Sequence, residues 1–279
     1  MVNAYYPKTI KEALQIRKQS SDSMVVAGGS DVMVIKKDAE DVIFSNQIEE
    51  LQSISKKKDR LRIGAGTTYV NLIAHQDVPE ILKKAMRKIA SPAIRNIGTV
   101  AGNVCNASPA GDTLPVLYAL DAMIIKASLD ECGEIKETAL PIQEFIQGIR
   151  KINLEKDEIV TAIELPTIAY ENMTKSYHEK VGAREAEAIS KLSFAGLMKF
   201  QEDILTDIRM AFGSVGITTV RRKEIEEQLV GLTKDELNQS KKDIIAQFAE
   251  ILHPIDDQRS TAVYRKKVCL NLLEDFLTV

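Results

Sequence analysis

The chemistry this sequence can offer lies in two glycine-centred segments. Val25-Val26-Ala27-Gly28-Gly29-Ser30-Asp31 follows an apolar run, and Arg95-Asn96-Ile97-Gly98-Thr99-Val100-Ala101-Gly102-Asn103 runs on into Asn106-Ala107-Ser108-Pro109-Ala110-Gly111-Asp112. Glycine lets bare backbone approach a ligand, and successive N–H groups in a turn make an anion-binding concavity. Two such loops imply a diphosphate held between them. A dinucleotide fingerprint of the G-x-G-x-x-G kind fails, because Gly64 and Gly66 are followed by Tyr69 where glycine is required. A Walker loop fails as well, for want of a G-K-[ST] string. The pattern is that of a different two-loop cradle.

Composition narrows the partners. The 279 residues are 44% hydrophobic and 28% charged, enough for a sizeable core in one large or two smaller domains, and we expect two. A net charge of −3 gives no basic field to gather nucleic acid, and no run of about 18 apolar residues could span a bilayer. The N-terminus lacks a basic-then-apolar secretory pattern, so a cytoplasmic location is expected. Cys105, Cys132 and Cys269 are widely spaced, and His75, His178 and His253 stand in unrelated contexts. Since an iron–sulfur cluster normally takes four cysteines and a structural zinc four Cys or His ligands, any metal centre is expected in another chain.

The elements around the segments follow from periodicity and caps. Residues 7–18 predict an amphipathic helix with Thr9 as N-cap and Glu12 three residues on, and 24–27 a short strand entering the first glycine turn. Val32 to Ile35 begins a helix or turn. Strands are predicted at 42–45 and 61–63 with the lysine run 56–58 as a solvated hairpin between them, and Thr67 and Thr68 precede a helix starting near Tyr69. Residues 79–90 read as a packed helix that Ser91-Pro92 breaks. From Ala93 to Asp112 the chain is too rich in glycine, asparagine and small residues for a plain helix. Further strands are predicted at 122–127, 135–140 and 158–166, and beyond a boundary near 166–174 at 175–181, 189–199 and 207–215. Helices at 222–230, 234–252 and 262–276 close the chain. Three adjacent β segments followed by helices imply a smaller α+β unit.

Two strings carry a resemblance: VVAGGSDVM (25–33) and RNIGTVAGNVCNASPAGDTLPVLYALDA (95–122). Both resemble the FAD-binding medium subunit of the molybdenum hydroxylases, the xanthine dehydrogenase and carbon monoxide dehydrogenase family. The likeness continues through Lys180-Val181-Gly182-Ala183-Arg184, Gly213-Ser214-Val215-Gly216 with Val220-Arg221, and Asp257 to Arg265, so it covers essentially the whole chain. It implies an α+β chain: a two-loop FAD-binding domain of the vanillyl-alcohol-oxidase/PCMH type over residues 1–168, with subdomains at about 1–57 and 58–168. A smaller C-terminal domain of the carbon monoxide dehydrogenase flavoprotein type, a three-stranded antiparallel sheet plus helices, would follow over residues 172–279.

The resemblance also implies a division of labour. A molybdopterin large subunit would oxidise the substrate, an iron–sulfur small subunit with [2Fe-2S] clusters would relay electrons, and this chain would pass them through FAD to NAD or another acceptor. No residue of this chain would be catalytic or ligate a metal. Ala27, Gly28, Gly29, Ser30 and Asp31, flanked by Val26, Val32 and Met33, align with the family's first pyrophosphate loop. Thr99, Gly102, Asn103, Cys105, Asn106 and Asp112 fall at contact positions of the second, with Asp112 suited to a ribose or ribityl hydroxyl. Ile89 and Ile94 would wall an apolar ring, Val160 would offer a backbone contact, and Lys180 would bring a cation to the flavin. His178 shares the strand face of Lys180 and takes no role, and Tyr177, Phe194 and Phe212 are expected in the core. A self-contained flavin oxidase of the vanillyl-alcohol type and a cofactor-free scaffold subunit stand as alternatives.

Overall fold

The computed structural model describes residues 3–20, 22–35, 39–185 and 187–279, and the chain forms two compact units. The first comprises residues 1–78, 91–107 and 121–167, and the second residues 79–90, 108–120 and 168–279.

The first unit holds two main sheets. Strands β1 (Asn3–Tyr5), β2 (Met24–Val26) and β3 (Asp41–Phe44) make a parallel sheet in the order β1-β3-β2. Helix α1 (Ile10–Gln19) crosses between β1 and β2; Thr9 Oγ1 accepts from the Glu12 N–H at 3.1 Å, and the Glu12 carboxylate accepts from the Lys8 N–H at 2.7 Å. Reciprocal capping satisfies donors that a helix start leaves unpaired. The second sheet is antiparallel, in the order β4-β5-β10-β6-β7, from β4 (Ile54–Lys56), β5 (Arg60–Gly64), β6 (Met123–Leu129), β7 (Ile135–Pro141) and β10 (Ile159–Pro166). A hairpin of β8 (Ile146–Gly148) and β9 (Lys151–Ile152) lies between β7 and β10 in sequence. The lysine run does sit at a hairpin turn, but that turn joins β4 to β5; the strand expected at 42–45 is β3, and it belongs to the other sheet.

The segment 93–112, expected not to be a plain helix, carries two short helices separated and followed by loops. The helix expected over 79–90 ends earlier, at Arg87, and Ser91 starts the next: its Oγ accepts from the Ile94 N–H at 3.4 Å and Pro92 takes the first position of α5 (Pro92–Arg95). Thr99 caps α6 (Val100–Asn106), whose Val100, Ala101 and Val104 are buried. Cap and buried face outweigh the low helix propensity of glycine and asparagine. Helices α2 (Val32–Ile35), α3 (Tyr69–Ala74) and α8 (Ile142–Phe145) complete this unit.

The second unit is built on an antiparallel sheet, β11 (Lys175–Val181), β12 (Leu192–Gln201), β13 (Ile204–Gly213) and β14 (Val220–Arg221), in that order. The three expected strands are present, and the two-residue β14 adds a fourth. Helices α9 (Lys223–Leu229), α10 (Lys234–Ile251) and α11 (Ala262–Leu277) follow, and α4 (Glu80–Arg87) and α7 (Leu114–Ala119) reach the sheet from earlier in the chain. Phe194 stands with its ring centroid 4.7 Å from Phe212 and 5.4 Å from Phe276, all three fully buried. Gly196 leaves the space that the Phe276 ring fills.

Two buried polar features set the stability of this unit. Arg221 pairs with Glu226 at 2.9 Å and donates to the Tyr118 carbonyl, while Glu226 accepts from the Met210 N–H at 2.6 Å. Arg209 donates to the Ala119 carbonyl at 3.1 Å, so two arginines satisfy the last carbonyls of α7. Glu226→Ala is expected to cost about 3–5 kcal/mol in equilibrium denaturation, because it leaves a buried guanidinium uncompensated. His178, 1% exposed, has no hydrogen-bond partner at either ring nitrogen among the described residues. Burial, followed by the charges of Lys88, Lys84 and Lys180, holds its pKa down to about 3. The folded state thus binds this proton less readily than the unfolded state. The stabilising effect of the neutral ring is complete above about pH 6.5 and is lost as pH falls towards 3, at about 1.4 kcal/mol per unit. Denaturation of His178→Leu across this window is expected to show a flatter acid limb than the parent chain.

Candidate cofactor site

The first glycine segment leaves β2 at Val26 and turns within five residues into α2. Gly29 takes φ +68°, a left-handed conformation that side-chain-bearing residues rarely adopt. Its carbonyl accepts from the Met33 N–H at 3.0 Å, and the Asp31 carbonyl from the Val34 N–H at 3.0 Å. The N–H groups of Gly28, Gly29, Ser30 and Asp31 make no hydrogen bond to any other described residue. Four consecutive donors without a protein acceptor are what a phosphate group takes up.

The second segment lies directly against the first. A Cβ on Gly28 would land on the Ile97 carbonyl, so the two backbones meet there and only glycine permits it. Gly98 donates to the Ile94 carbonyl at 2.7 Å, and its own carbonyl accepts from the Tyr69 N–H at 3.0 Å, which fixes the turn. Thr99 bridges to Thr68, and its Oγ1 accepts from the Gly102 N–H at 2.9 Å. The antiparallel bridge engages the Val100 N–H, while that of Ala101, in the first turn of α6, has no protein acceptor among the described residues. Gly102 is exposed, and a Cβ there would meet only Thr99 Oγ1, at 3.0 Å.

The remaining expected residues divide between the units. Val26, Ala27, Val32, Met33, Ile94, Asn103, Cys105, Asn106 and Val160 belong with the loops in the first unit, and α6 packs on β10, the strand that carries Val160. Burial pushes the Cys105 thiol up to about 12, which leaves it a neutral, inert group. Thr67 is buried, with no hydrogen-bond partner for its hydroxyl among the described residues, and Thr68 Oγ1 caps α3 by accepting from the Asn71 N–H. Ile89, Asp112 and Lys180 lie in the second unit. There the Lys180 ammonium donates to Asp112 Oδ2 at 2.6 Å and to the Lys88 carbonyl at 2.9 Å, and the Ser190 hydroxyl donates to Asp112 Oδ1. Lys180 is an interior ion-pair member, its side chain 2% exposed. Burial raises the Asp112 pKa, opposed by the charge and hydrogen bond of Lys180 and by the Ser190 hydroxyl.

Sequence reasoning missed Arg150. At the tip of the β8–β9 hairpin it donates through Nη1 to Asn106 Oδ1 at 2.6 Å and to Asp31 Oδ2 at 3.3 Å. Nothing in its spacing marks it; only the fold brings it to both loops. The donor set and the glycine contact suit a flavin dinucleotide, whose diphosphate calls for backbone N–H groups and close backbone approach.

Comparison with known proteins agrees with this geometry. The family model described as "FAD binding domain in molybdopterin dehydrogenase" matches residues 1–168, and that described as "CO dehydrogenase flavoprotein C-terminal domain" matches residues 177–279. The glyceraldehyde dehydrogenase medium chain of Sulfolobus acidocaldarius is 28% identical over 94% of this chain and 92% of its own length. The xanthine dehydrogenase FAD-binding subunit of Escherichia coli O157:H7 is 29% identical over 78% of this chain and 76% of its own. Among solved structures, the carbon monoxide dehydrogenase of Hydrogenophaga pseudoflava has a chain that superposes with a TM-score of 0.86 at 25% identity, covering 99% of this chain and 96% of that one. With a two-loop FAD-binding region, an antiparallel sheet with helices behind it, and matches to both family models, the chain belongs to the FAD-binding subunits of the molybdenum hydroxylases and is an FAD-dependent oxidoreductase subunit.

Proposed function

We propose that this chain is the electron outlet of a molybdenum hydroxylase: it takes electrons from an iron–sulfur subunit and delivers them through FAD to NAD or another acceptor. A molybdopterin large subunit would house substrate oxidation, and the assembly would work in the cytoplasm. The observation that carries the reading is the run of N–H groups from Gly28 to Asp31, without an acceptor among the described residues, in a loop whose Gly28 lies against the Ile97 carbonyl of the second segment. Bound FAD supplies a carrier that accepts electrons singly and releases them as a pair; the protein's part is binding, orientation and electrostatics.

Within that reading, residues 1–168 act as the FAD-binding domain, with subdomains at about 1–57 and 58–168, and residues 172–279 as the C-terminal domain. Ala27 to Asp31, with Val26, Val32 and Met33, line one side of the diphosphate; Thr99, Gly102, Asn103, Cys105 and Asn106 line the other, and Ile94 and Val160 flank them. Family resemblance assigns Ile89, Asp112 and Lys180 to the cofactor. The match across both parts of the chain favours a subunit over a self-contained oxidase or a cofactor-free scaffold.

Gly102→Leu tests the cradle. Because Gly102 is exposed and a Cβ there would press only on the capping hydroxyl of Thr99, the variant is expected to stay folded with a modestly lower melting temperature, while its side chain occupies the diphosphate position. Flavin absorbance per mole of purified chain should fall roughly tenfold or more; full flavin content would refute the assignment. Purified under native conditions, the chain is expected to bring with it one subunit rich in cysteine ligands and one larger subunit containing molybdenum, both identifiable by metal analysis. A chain that turns over an organic substrate alone would overturn the division of labour.

A further inference from the structure

Arg150 stands where the hairpin between β8 and β9 reverses, with φ +55°. That left-handed conformation suits glycine or asparagine, and another residue held in it points to a local role. Its backbone N–H donates to the Ala107 carbonyl at 3.0 Å, tying the hairpin tip to the residue that caps α6. From that anchor Nη1 reaches Asn106 at the end of α6 and Asp31 in the first glycine loop, while Nε and Nη2 bond no other described residue. The side chain is half-exposed.

Asp31 poses an electrostatic problem that Arg150 answers. A carboxylate inside a diphosphate cradle repels the ligand the cradle is built for, and the opposing N–H dipoles carry only partial charge. One guanidinium 3.3 Å from Asp31 cancels that charge and fastens the loop to α6 in the same contact. We propose that Arg150 is a positioning residue: it clasps the two cradle loops and neutralises Asp31, so that the loops retain a flavin dinucleotide. The inference rests on the FAD reading above.

The test titrates the full-length apo chain with FAD and follows quenching of flavin fluorescence. Arg150→Gln is expected to raise the Kd about tenfold, the scale of one charge-assisted contact, and Arg150→Lys to fall between it and the parent. Adding Asp31→Asn to Arg150→Gln should recover most of the lost affinity, since the uncompensated carboxylate is gone. A hairpin with a merely structural role would not be rescued in this way, and melting curves of the apo variants register any general loss of fold. Parent-like affinity in Arg150→Gln, or a double variant no better than the single one, overturns the clasp. Failure of the parent chain itself to bind FAD overturns the reading beneath it.

Discussion

The cradle depends on one close approach, backbone against backbone, where Gly28 meets the Ile97 carbonyl. Any side chain at that point would part the two segments and leave each as an isolated turn. Contact is made possible by elements on both sides: β3 holds β2 in parallel register on one, while the hydrogen bonds of Gly98 to Ile94 and Tyr69 fix the other. The N–H groups from Gly28 to Asp31, without an acceptor among the described residues, are donors of the kind a folded chain rarely leaves unpaired. Recognition of this kind needs almost no side chains, which is why the segments are glycine-rich and carry no nucleophile.

Much of this could be read from residue types. The loops were legible because glycine next to an apolar strand has few other uses, and the strands of the second unit because they are long apolar and aromatic runs, β12 burying every residue from Leu192 to Met198. Helix α6 was not legible: Gly102, Asn103 and Asn106 lower its intrinsic propensity, and the cap from Thr99 and the burial of Val100, Ala101 and Val104 declare themselves only in three dimensions. Helix α7 escaped for the opposite reason. All six of its residues are buried, so no polar face marks its period. Arg150 and the Lys180–Asp112 pair were beyond reach in a stronger sense, since the partners lie 44 and 119 residues away for Arg150 and 68 for Lys180.

Charge is handled differently in the two units. In the first, Arg150 and Asp31 meet in a half-exposed position, where the attraction is modest and adjustable. In the second, the Lys180–Asp112 and Arg221–Glu226 pairs are deeply buried, where breaking a pair is far costlier than the pair's own net contribution. The glycine loops are therefore joined by a contact with some latitude, while the sheet against α7 is held by pairs that are costly to break.

The path of the chain has a consequence for how the protein is made. Residues 79–90 and 108–120 emerge from the ribosome early, yet α4 and α7 belong with a sheet whose last strand ends at Arg221. Domains generally fold in the order of their synthesis, N-terminal first. Here the amphipathic α4 and the wholly buried α7 must wait, their apolar faces uncovered, until the chain has been translated as far as Arg221. Nascent copies are thus exposed to premature association during that interval, and a pause or truncation after residue 167 would strand those helices without a partner sheet.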